Sequence, residues 1–375
     1  MTVFSPPDHV PSSRRPTRRL ARLTPGLFAR RVGHRRTGRL GVILAAAVLG
    51  TGAVPPVTSA AGAAATVKAD DGAAITAQRW LSPRMFDVTV KSPALGKSVQ
   101  VRVIVPTGWS ATAKRTWPVV YSYHGGADGY LSWTRSTDIA TVAGHYGAMV
   151  VMPEGGVNGS YTDWYNYGKG GTPRWETFHT KEVLQLMERN YHAGTARAAM
   201  GISSGGQGAI TYAARHKGLF RYAASYSGIV HLTYPGVPAV LMFNGIVFGP
   251  GDDPFRIWGV PGVDDANWKA HDPYLLAAGL RGTGLYLSAG TTGNPGPLDP
   301  PFVGLDFVKA RVVAGVSESV AGATTVSLAA RLKQLGIPVT THIYGDGWHQ
   351  WGYWTIEMHT SWPLIMKAIG APKVA

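Results

Sequence analysis

Apolar residues occupy every second position over 86–90 and again over 99–105. This alternation is typical of half-buried strands, because successive side chains of a strand point to opposite faces. Gly96 and Lys97 lie between the two runs and supply a residue that suits a tight turn. The pattern predicts an antiparallel hairpin at the edge of a sheet.

Short apolar runs and helix-like stretches alternate through the rest of the chain. The runs that we predict as strands lie at 118–123, 147–152, 196–200, 285–289 and 339–344. Helical periodicity appears at 176–191, 208–215 and 320–335. This order indicates the α/β class, with a mainly parallel central sheet and helices on both faces. Ligands of such sheets bind beyond the carboxyl ends of the strands, where the motifs below are found.

The N-terminal region differs from the rest in charge. Residues 1–40 hold ten arginines and one aspartate, so +9 of the formal net charge of +15 lies there. A short apolar run at 40–54 and Ala- and Ser-rich sequence follow. This order predicts a secretory signal peptide with a long basic leader over 1–63, because the apolar run is shorter than a membrane span. One alternative is an uncleaved membrane anchor. The other, a basic tail that binds nucleic acid, is disfavoured by the apolar run.

Composition divides the remaining chain in two. Small residues without periodicity at 64–84 predict a flexible linker, and 85–372 is predicted to form a single catalytic domain. The chain has no cysteine, which excludes disulfides, thiol catalysis and cysteine-ligated metal. No HExxH motif or phosphate-binding loop is present, so we predict neither a metal nor another cofactor. A monomer is expected.

The sequence offers a serine nucleophile at 203. Gly201, Ser203 and Gly205 match G-x-S-x-G between a predicted strand and a predicted helix. This is the context of the nucleophile elbow of the α/β-hydrolase fold, in which a strained turn lifts the hydroxyl above the sheet. The turn also aims the next backbone N–H, that of Ser204, at a developing oxyanion.

A second oxyanion donor is expected after an earlier strand. His124, Gly125 and Gly126 follow the strand at 118–123 as an H-G-G sequence of the kind found in esterases. We predict the Gly126 N–H as the second donor.

Three side chains are candidates for substrate binding. His124 follows the strand directly, and Trp164 and Trp351 are among the aromatic residues that we expect to wall the cleft. For the aromatic residues the alternative is core packing. The apolar segment 237–248 is expected to shape an acyl pocket or to belong to the core.

The general base is predicted from chain order, because this fold places its triad as Ser, then Asp or Glu, then His. His349 lies in a loop after the last predicted strand. His342 lies inside that strand and His359 on the terminal helix, so both are expected to be structural. For the acid, position alone leaves Asp299, Asp306 and Glu318 open.

Several separated motifs resemble the antigen 85 mycolyltransferases and related actinobacterial esterases, over about residues 84–370. They read VVMPEGG, SYTDWY, WETF and HQWGYW, at 150–156, 160–165, 175–178 and 349–354. The resemblance implies an α/β-hydrolase fold and a Ser–Glu–His triad.

The triad of that family falls on Ser203, Glu318 and His349. Glu318 fits because it lies 31 residues before His349 (349 − 318), at the head of a predicted helix. The oxyanion donors of the family fall on the N–H groups of Gly126 and Ser204.

One departure separates the chain from the mycolyltransferases. They carry D-G-L-R after the early strand, and its Asp and Arg hold trehalose, whereas residues 124–127 read H-G-G-A here. The family's small disulfide is also absent. We therefore expect a secreted serine esterase that hydrolyses acyl esters or lipids. Association of this enzyme with the cell envelope is compatible with the sequence.

Two alternatives remain. The first alternative is an acyltransferase with a sugar or glycerol acceptor. The second is a non-catalytic surface binding protein on the same scaffold.

Overall fold

A nine-stranded sheet runs through the part of the chain that the computed structural model describes, residues 66–158, 160–249 and 252–374. The strands are β1 (Ala74–Ser82), β2 (Met85–Ser92), β3 (Lys97–Ile104), β4 (Trp117–Tyr123), β5 (Met149–Pro153), β6 (Ala193–Ile202), β7 (Tyr222–Tyr226), β8 (Gly284–Gly290) and β9 (Thr340–Tyr344). Their order across the sheet is β1-β2-β3-β5-β4-β6-β7-β8-β9. Across the sheet, the pairs β1–β2, β2–β3 and β3–β5 are antiparallel, and all the following pairs, from β5–β4 to β8–β9, are parallel. The predicted fold class is confirmed.

The predicted hairpin is formed by β2 and β3. Val88 pairs with Val101 and Phe86 with Val103, so the alternating apolar residues of both strands share one face. All four of these side chains are fully buried. Gly96, in the turn between the strands, has a φ of +65°, a conformation that glycine adopts without steric cost.

The predicted linker at 64–84 is wrong over residues 74–82, which form β1. This strand pairs antiparallel with β2, with Trp80 opposite Phe86. β1 is an edge strand whose side chains are mostly exposed, so it lacks the apolar alternation that revealed the hairpin. The predicted signal peptide at 1–63 lies outside the described residues.

Helices cover both faces of the sheet. They are α1 (Ser132–Ser136), α2 (Ile139–Gly144), α3 (Trp175–Thr177), α4 (Leu184–Tyr191), α5 (Ser204–Arg215), α6 (Val237–Phe248), α7 (Phe255–Trp258), α8 (Asp265–Ala270), α9 (Gly304–Ala310), α10 (Val316–Gln334) and α11 (Trp351–Ile369). Short π-helical turns join α3 to α4 and α9 to α10, at Phe178–Val183 and Arg311–Gly315.

The core consists of two layers separated by the sheet. On one face, Ile210 of α5 and Leu328 of α10 belong to the larger apolar cluster. On the other face, Met358 and Trp362 of α11 pack with residues of α2. Burial of both sheet faces explains why β4, β5, β6 and β8 read as apolar runs in the sequence.

Within the described ranges, one helical stretch, Gly304–Gln334, has the length and hydropathy of a membrane-spanning helix. Its α10 part packs Leu328 and Leu332 into the core and buries Glu318 completely. The stretch is therefore a helix of this domain. Its α10 part packs beside β8.

Candidate active site

Ser203 lies on a strained turn between β6 and α5. Its backbone has φ 51° and ψ −124°, which a residue with a side chain rarely adopts. A β-carbon on Gly201 would lie 2.3 Å from the carbonyl carbon of Gly205, and one on Gly205 would lie 2.4 Å from the carbonyl oxygen of His124. Only glycine fits at these two positions. The G-x-S-x-G sequence therefore forms the tight strand-to-helix turn expected of it.

The predicted base and one predicted acid are in direct contact. His349 Nδ1 lies 2.7 Å from Glu318 Oε2. His349 is in the loop between β9 and α11, and Glu318 is in the first turn of α10 with no exposed surface. Ser203 and His349 line the same cavity. The fold thus brings together a serine, a histidine and a buried carboxyl group from three distant parts of the chain.

Three further donors hold the Glu318 carboxyl group. Its Oε1 accepts hydrogen bonds from Gly290 N at 2.6 Å, Ser227 Oγ at 2.8 Å and Tyr344 Oη at 3.1 Å. Burial raises the pKa of the Tyr344 hydroxyl, and the neighbouring Glu318 raises it further, so this hydroxyl remains a donor. With Oε1 fixed in this way, Oε2 is directed at the imidazole of His349.

Ser227 and Trp354 extend this network, and the sequence did not point to Ser227. Ser227 is buried directly after β7 and has a φ of +52°. Trp354 Nε1 donates to Ser227 Oγ at 3.0 Å, which leaves the Ser227 hydroxyl proton for Glu318. The Trp354 ring also meets the His349 ring edge-on at 4.9 Å. The only sequence signal for this arrangement is the presence of Trp354 in the HQWGYW motif.

The two alternative acids have other contacts. Asp299 Oδ2 accepts hydrogen bonds from Trp348 N and from the Tyr353 hydroxyl, both at 3.0 Å, so it ties down the loop that carries the histidine. Asp306 is on the surface, where its carboxylate lies 3.5 Å from Lys309 Nζ. Of the three candidate acids, Glu318 is the one whose carboxyl group contacts His349.

The two glycines after β4 lie directly against the serine turn. A β-carbon on Gly125 would lie 3.3 Å from Ser203 Cβ, and one on Gly126 would lie 3.9 Å from Ser204 Oγ. Gly126 and Ser204 both line the cavity that contains Ser203. The two backbone segments predicted to supply oxyanion donors are thus adjacent at the cavity wall.

His124 is buried beneath this loop and does not line the cavity, so the structure corrects its expected position at the substrate. Its Nε2 accepts a hydrogen bond from Gly155 N at 2.7 Å, and the ring proton on Nδ1 therefore points to Gly125 O, also at 2.7 Å. The Tyr161 hydroxyl donates to the His124 carbonyl at 2.7 Å. His124 holds the glycine loop in place.

The two predicted substrate-binding tryptophans also lie away from the cavity wall. Trp351 packs edge-on against Trp133 at 5.4 Å. Trp164 is 6% exposed, lies under the Arg256 guanidinium at 5.0 Å, and borders a neighbouring groove. For both side chains the structure favours packing, the alternative left open by the sequence.

The cavity beside Ser203 has a volume of about 190 Å³. Its walls come from the serine turn, the glycine loop, α6 and the junction of α9 with α10. The segment 237–248, for which an acyl pocket and the core were both open, thus contributes to the cavity wall. Besides the residues already named, it is lined by Val157, Asn158, Ser160, Gln207, Ile229, Leu241, Asn244, Gly245, Ile257, Trp258, Val313, Ala314 and Ser317. Most of these residues carry no sequence signal, because loops that are distant along the chain bring them together.

No cluster of three or more His, Asp or Glu side chains suited to a metal ion occurs within the described ranges. The arrangement that is present supports nucleophilic chemistry at a carbonyl group, with a serine hydroxyl, an imidazole, a buried carboxyl group and two backbone segments around one cavity.

Comparison with known proteins agrees with this fold and site. A family model described as "Putative esterase" matches residues 92–363. The diacylglycerol acyltransferase/mycolyltransferase Ag85B of Mycobacterium leprae (strain TN) is 29% identical over 348 residues, 90% of this chain and 96% of that protein. Esterase Rv1288 of Mycobacterium tuberculosis (strain ATCC 25618 / H37Rv) is 32% identical over 220 residues, 57% of this chain and 47% of that protein.

A solved structure shows the same architecture. Mycobacterium tuberculosis MPT51 (FbpC1) matches with a TM-score of 0.58 and 25% identity, over 75% of this chain and 97% of that one. The chain therefore belongs to this antigen 85-like esterase family of the α/β-hydrolase superfamily, and it is an enzyme that acts on acyl esters.

Proposed function

We propose that the chain is a secreted serine esterase that forms an acyl-enzyme on Ser203. The observation that carries the proposal is the strained Ser203 backbone on a cavity shared with His349, whose Nδ1 lies 2.7 Å from the buried Glu318 carboxylate. A histidine held in this way has its Nε2 free of the carboxylate and available to take a proton.

In the proposed reaction, His349 Nε2 takes the Ser203 Oγ proton as the oxygen attacks the ester carbonyl carbon. The N–H groups of Gly126 and Ser204 stabilise the resulting oxyanion, each contributing about 3 kcal/mol. His349 then protonates the leaving alkoxide as its bond to the carbonyl carbon breaks. Water, deprotonated by His349, attacks the acyl-enzyme and releases the carboxylic acid and the Ser203 hydroxyl.

The glycine loop supports hydrolysis over transfer to trehalose. The mycolyltransferases that this chain resembles use an Asp and an Arg after the early strand to hold the sugar. Here His124 is buried against Gly125 and Gly155, and Ala127 has no polar side chain. Without these two groups, a sugar acceptor has less to bind, and water is the simpler nucleophile.

A second candidate function is acyl transfer. The 29% identity to a diacylglycerol acyltransferase/mycolyltransferase over 90% of the chain favours it. Hydrolysis and transfer share the acyl-enzyme and differ only in the nucleophile that resolves it. Product analysis therefore separates the two functions.

The test uses 4-nitrophenyl butanoate with and without trehalose or a diacylglycerol. We expect butanoic acid as the main product under all conditions, whereas dominant acylation of an added acceptor would favour the transferase. Ser203→Ala is expected to abolish turnover. Ser204→Ala is the matched control, because it removes a neighbouring hydroxyl and keeps the backbone N–H, and it is expected to retain activity. Equal activity of Ser203→Ala and the wild type would exclude the mechanism.

The proposal of secretion rests on residues 1–63, with their basic leader, short apolar run and small residues. Expression in an actinobacterial host and N-terminal sequencing of the protein in the medium test it. A mature N-terminus near residue 64 is expected. Retention of the full-length chain inside the cell would contradict it.

A further inference from the structure

A buried carboxamide lies in the wall of the cavity next to the serine. Gln207 is 3% exposed and lines the cavity that contains Ser203 and His349. It is one helical turn beyond the serine, and its N–H donates to the Ser203 carbonyl at 3.0 Å. Both the nitrogen and the oxygen of a buried carboxamide need hydrogen-bond partners, because a buried polar group without a partner costs stability.

The neighbouring threonine determines how this carboxamide is oriented. Thr211 Oγ1 donates its proton to the backbone carbonyl oxygen of Gln207 at 2.9 Å. Towards the Gln207 side chain, the Thr211 hydroxyl can therefore only act as an acceptor. Gln207 Nε2 lies 3.3 Å from Thr211 Oγ1 and is therefore the donor. This assignment directs the nitrogen to the helix and leaves the carboxamide oxygen as an acceptor at the cavity wall.

The rest of the cavity fits a small and partly polar acyl group. A volume of about 190 Å³ is only slightly larger than the engineered apolar cavity of about 150 Å³ that binds benzene. Asn244 of α6 and Ser317 of α10 add polar side chains to walls otherwise formed by residues such as Leu241 and Trp258. In a mostly apolar pocket, a few such polar groups fix the orientation of the ligand and provide specificity.

We propose that Gln207 is a specificity-determining residue that selects compact acyl groups bearing a hydroxyl, whose proton the Gln207 carboxamide oxygen accepts. The inference rests on the proposed function, since it concerns the acyl group that is transferred to Ser203. A site built to accept a hydrogen bond discriminates against the analogue that lacks the donor, because the buried acceptor is then left unpaired.

The test compares the methyl esters of 4-hydroxyphenylacetic and phenylacetic acid, and of 3-hydroxybutanoic and butanoic acid. In the wild type, kcat/KM is expected to be about tenfold or more higher for the hydroxylated member of at least one pair. The pair with the larger ratio distinguishes an aromatic acyl group from a short aliphatic one.

Gln207→Leu is expected to reverse this preference, raising kcat/KM for the plain ester and lowering it for the hydroxylated one. Gln334→Leu, at the exposed end of α10, is the matched control and should keep the wild-type ratio. A wild-type ratio near one in both pairs, or a preference that survives in Gln207→Leu, would overturn the inference while leaving ester hydrolysis intact. Failure of the wild type to hydrolyse any of the four esters would instead refute the proposed function.

A binding measurement covers the case in which Gln207→Leu does not fold. Calorimetric titration of Ser203→Ala with the free acids of each pair requires no turnover. Tighter binding of a hydroxylated acid than of its plain partner supports the inference, and equal binding in both pairs contradicts it.

Discussion

Among the described residues, a serine, a histidine and a carboxylate lie near one another at the candidate active site and also at a second place. One is the site of Ser203, His349 and Glu318. The other is on α10, where Ser327 Oγ lies 2.8 Å from His231 Nδ1, and Asp272 Oδ2 lies 3.9 Å from His231 Nε2. Residue types alone would give both the same interpretation.

The surroundings of the second group are those of a structural contact. Ser327 lies inside the regular helix α10 and does not occupy a strained turn. Asp272 Oδ2 already accepts from Thr233 N and Thr233 Oγ1, at 2.9 and 2.7 Å. The His231 ring stacks on Tyr274 with ring centres 3.8 Å apart, and burial lowers its pKa. None of the three residues borders the cavity beside Ser203.

The comparison shows which structural features we expect a reactive serine to require. The distance from hydroxyl to imidazole is not sufficient. A site also needs a carboxylate committed to the histidine, a backbone that exposes the hydroxyl, adjacent N–H groups for the oxyanion, and space for a substrate. Only the Ser203 group combines these features among the described residues.

The largest contrast is expected between the two histidines. His349→Ala should lower kcat about 10⁴-fold or more, because it removes the acceptor of the Ser203 proton. His231→Ala should leave kcat within twofold of the wild type and lower the melting temperature, because it removes the Tyr274 stack. Steady-state kinetics and thermal melts measure both. A large fall in kcat for His231→Ala would mean that the second group participates in catalysis.

The next largest contrast is expected between the carboxylates of Glu318 and Asp272. Glu318→Gln is expected to lower kcat by about 10³- to 10⁴-fold, because the amide no longer holds the imidazole tautomer that takes the serine proton. Asp272→Asn should instead cost about 1–3 kcal/mol of unfolding free energy through its lost contacts with Thr233. Kinetics and urea titration measure the two effects. If both variants lost activity equally, the proposed division between the two groups would fail.

A smaller effect is expected when the Ser227 hydroxyl, which donates to the Glu318 carboxyl group, is removed. Ser227→Ala removes the bond to Glu318 Oε1, and a fall of about tenfold in kcat is expected with KM little changed, because the hydroxyl touches no substrate. Ser225→Ala is the control: Ser225 lies two residues earlier, in β7, and its buried Oγ has no hydrogen-bond partner. An equal loss in both variants would point to general packing and away from positioning of Glu318.

A third buried carboxyl group, that of Glu182, has a raised pKa. Glu182 accepts from Ser92 Oγ at 2.5 Å and from Ala94 N at 2.7 Å, near the carboxylate of Asp71. Burial raises the pKa of Glu182 to about 7 from its ordinary value of 4.5. Between these two pH values the folded chain holds a proton that the unfolded chain has released. The free energy of unfolding therefore declines as pH rises through this range.

The melting temperature is therefore expected to fall between pH 5 and pH 8, and this fall should be smaller in Glu182→Gln. The variant keeps a side chain of the same size that does not titrate. An identical pH dependence in the variant and the wild type would contradict the raised pKa. This is the smallest of the expected effects, because other titrating groups contribute to the same range.

The sequence predicted the parts of the site that depend on local chemistry. Gly201 and Gly205 were recognisable because only glycine allows the close backbone contacts of the serine turn. His349 followed from its place after the last strand. Glu318 was separated from Asp299 and Asp306 only by family resemblance, since chain position alone did not distinguish a buried carboxyl group from an exposed one.

The remaining features depend on contacts between distant segments. His124 was assigned to the substrate because its contact with Gly155, 31 residues later, cannot be read from the H-G-G sequence. The strands β1 and β7 were not predicted, because the first is mostly exposed and the second contains small residues without alternation. The polar cavity wall at Gln207 became visible only once α5, α6 and α10 were placed together.

Labelling with a fluorophosphonate, followed by peptide mass spectrometry, tests the central claim most directly, because this probe reports an activated serine rather than a nearby one. The adduct is expected on Ser203 alone, at a rate that falls by orders of magnitude in His349→Ala. An adduct on Ser327, or labelling of Ser203 that does not depend on His349, would contradict the account.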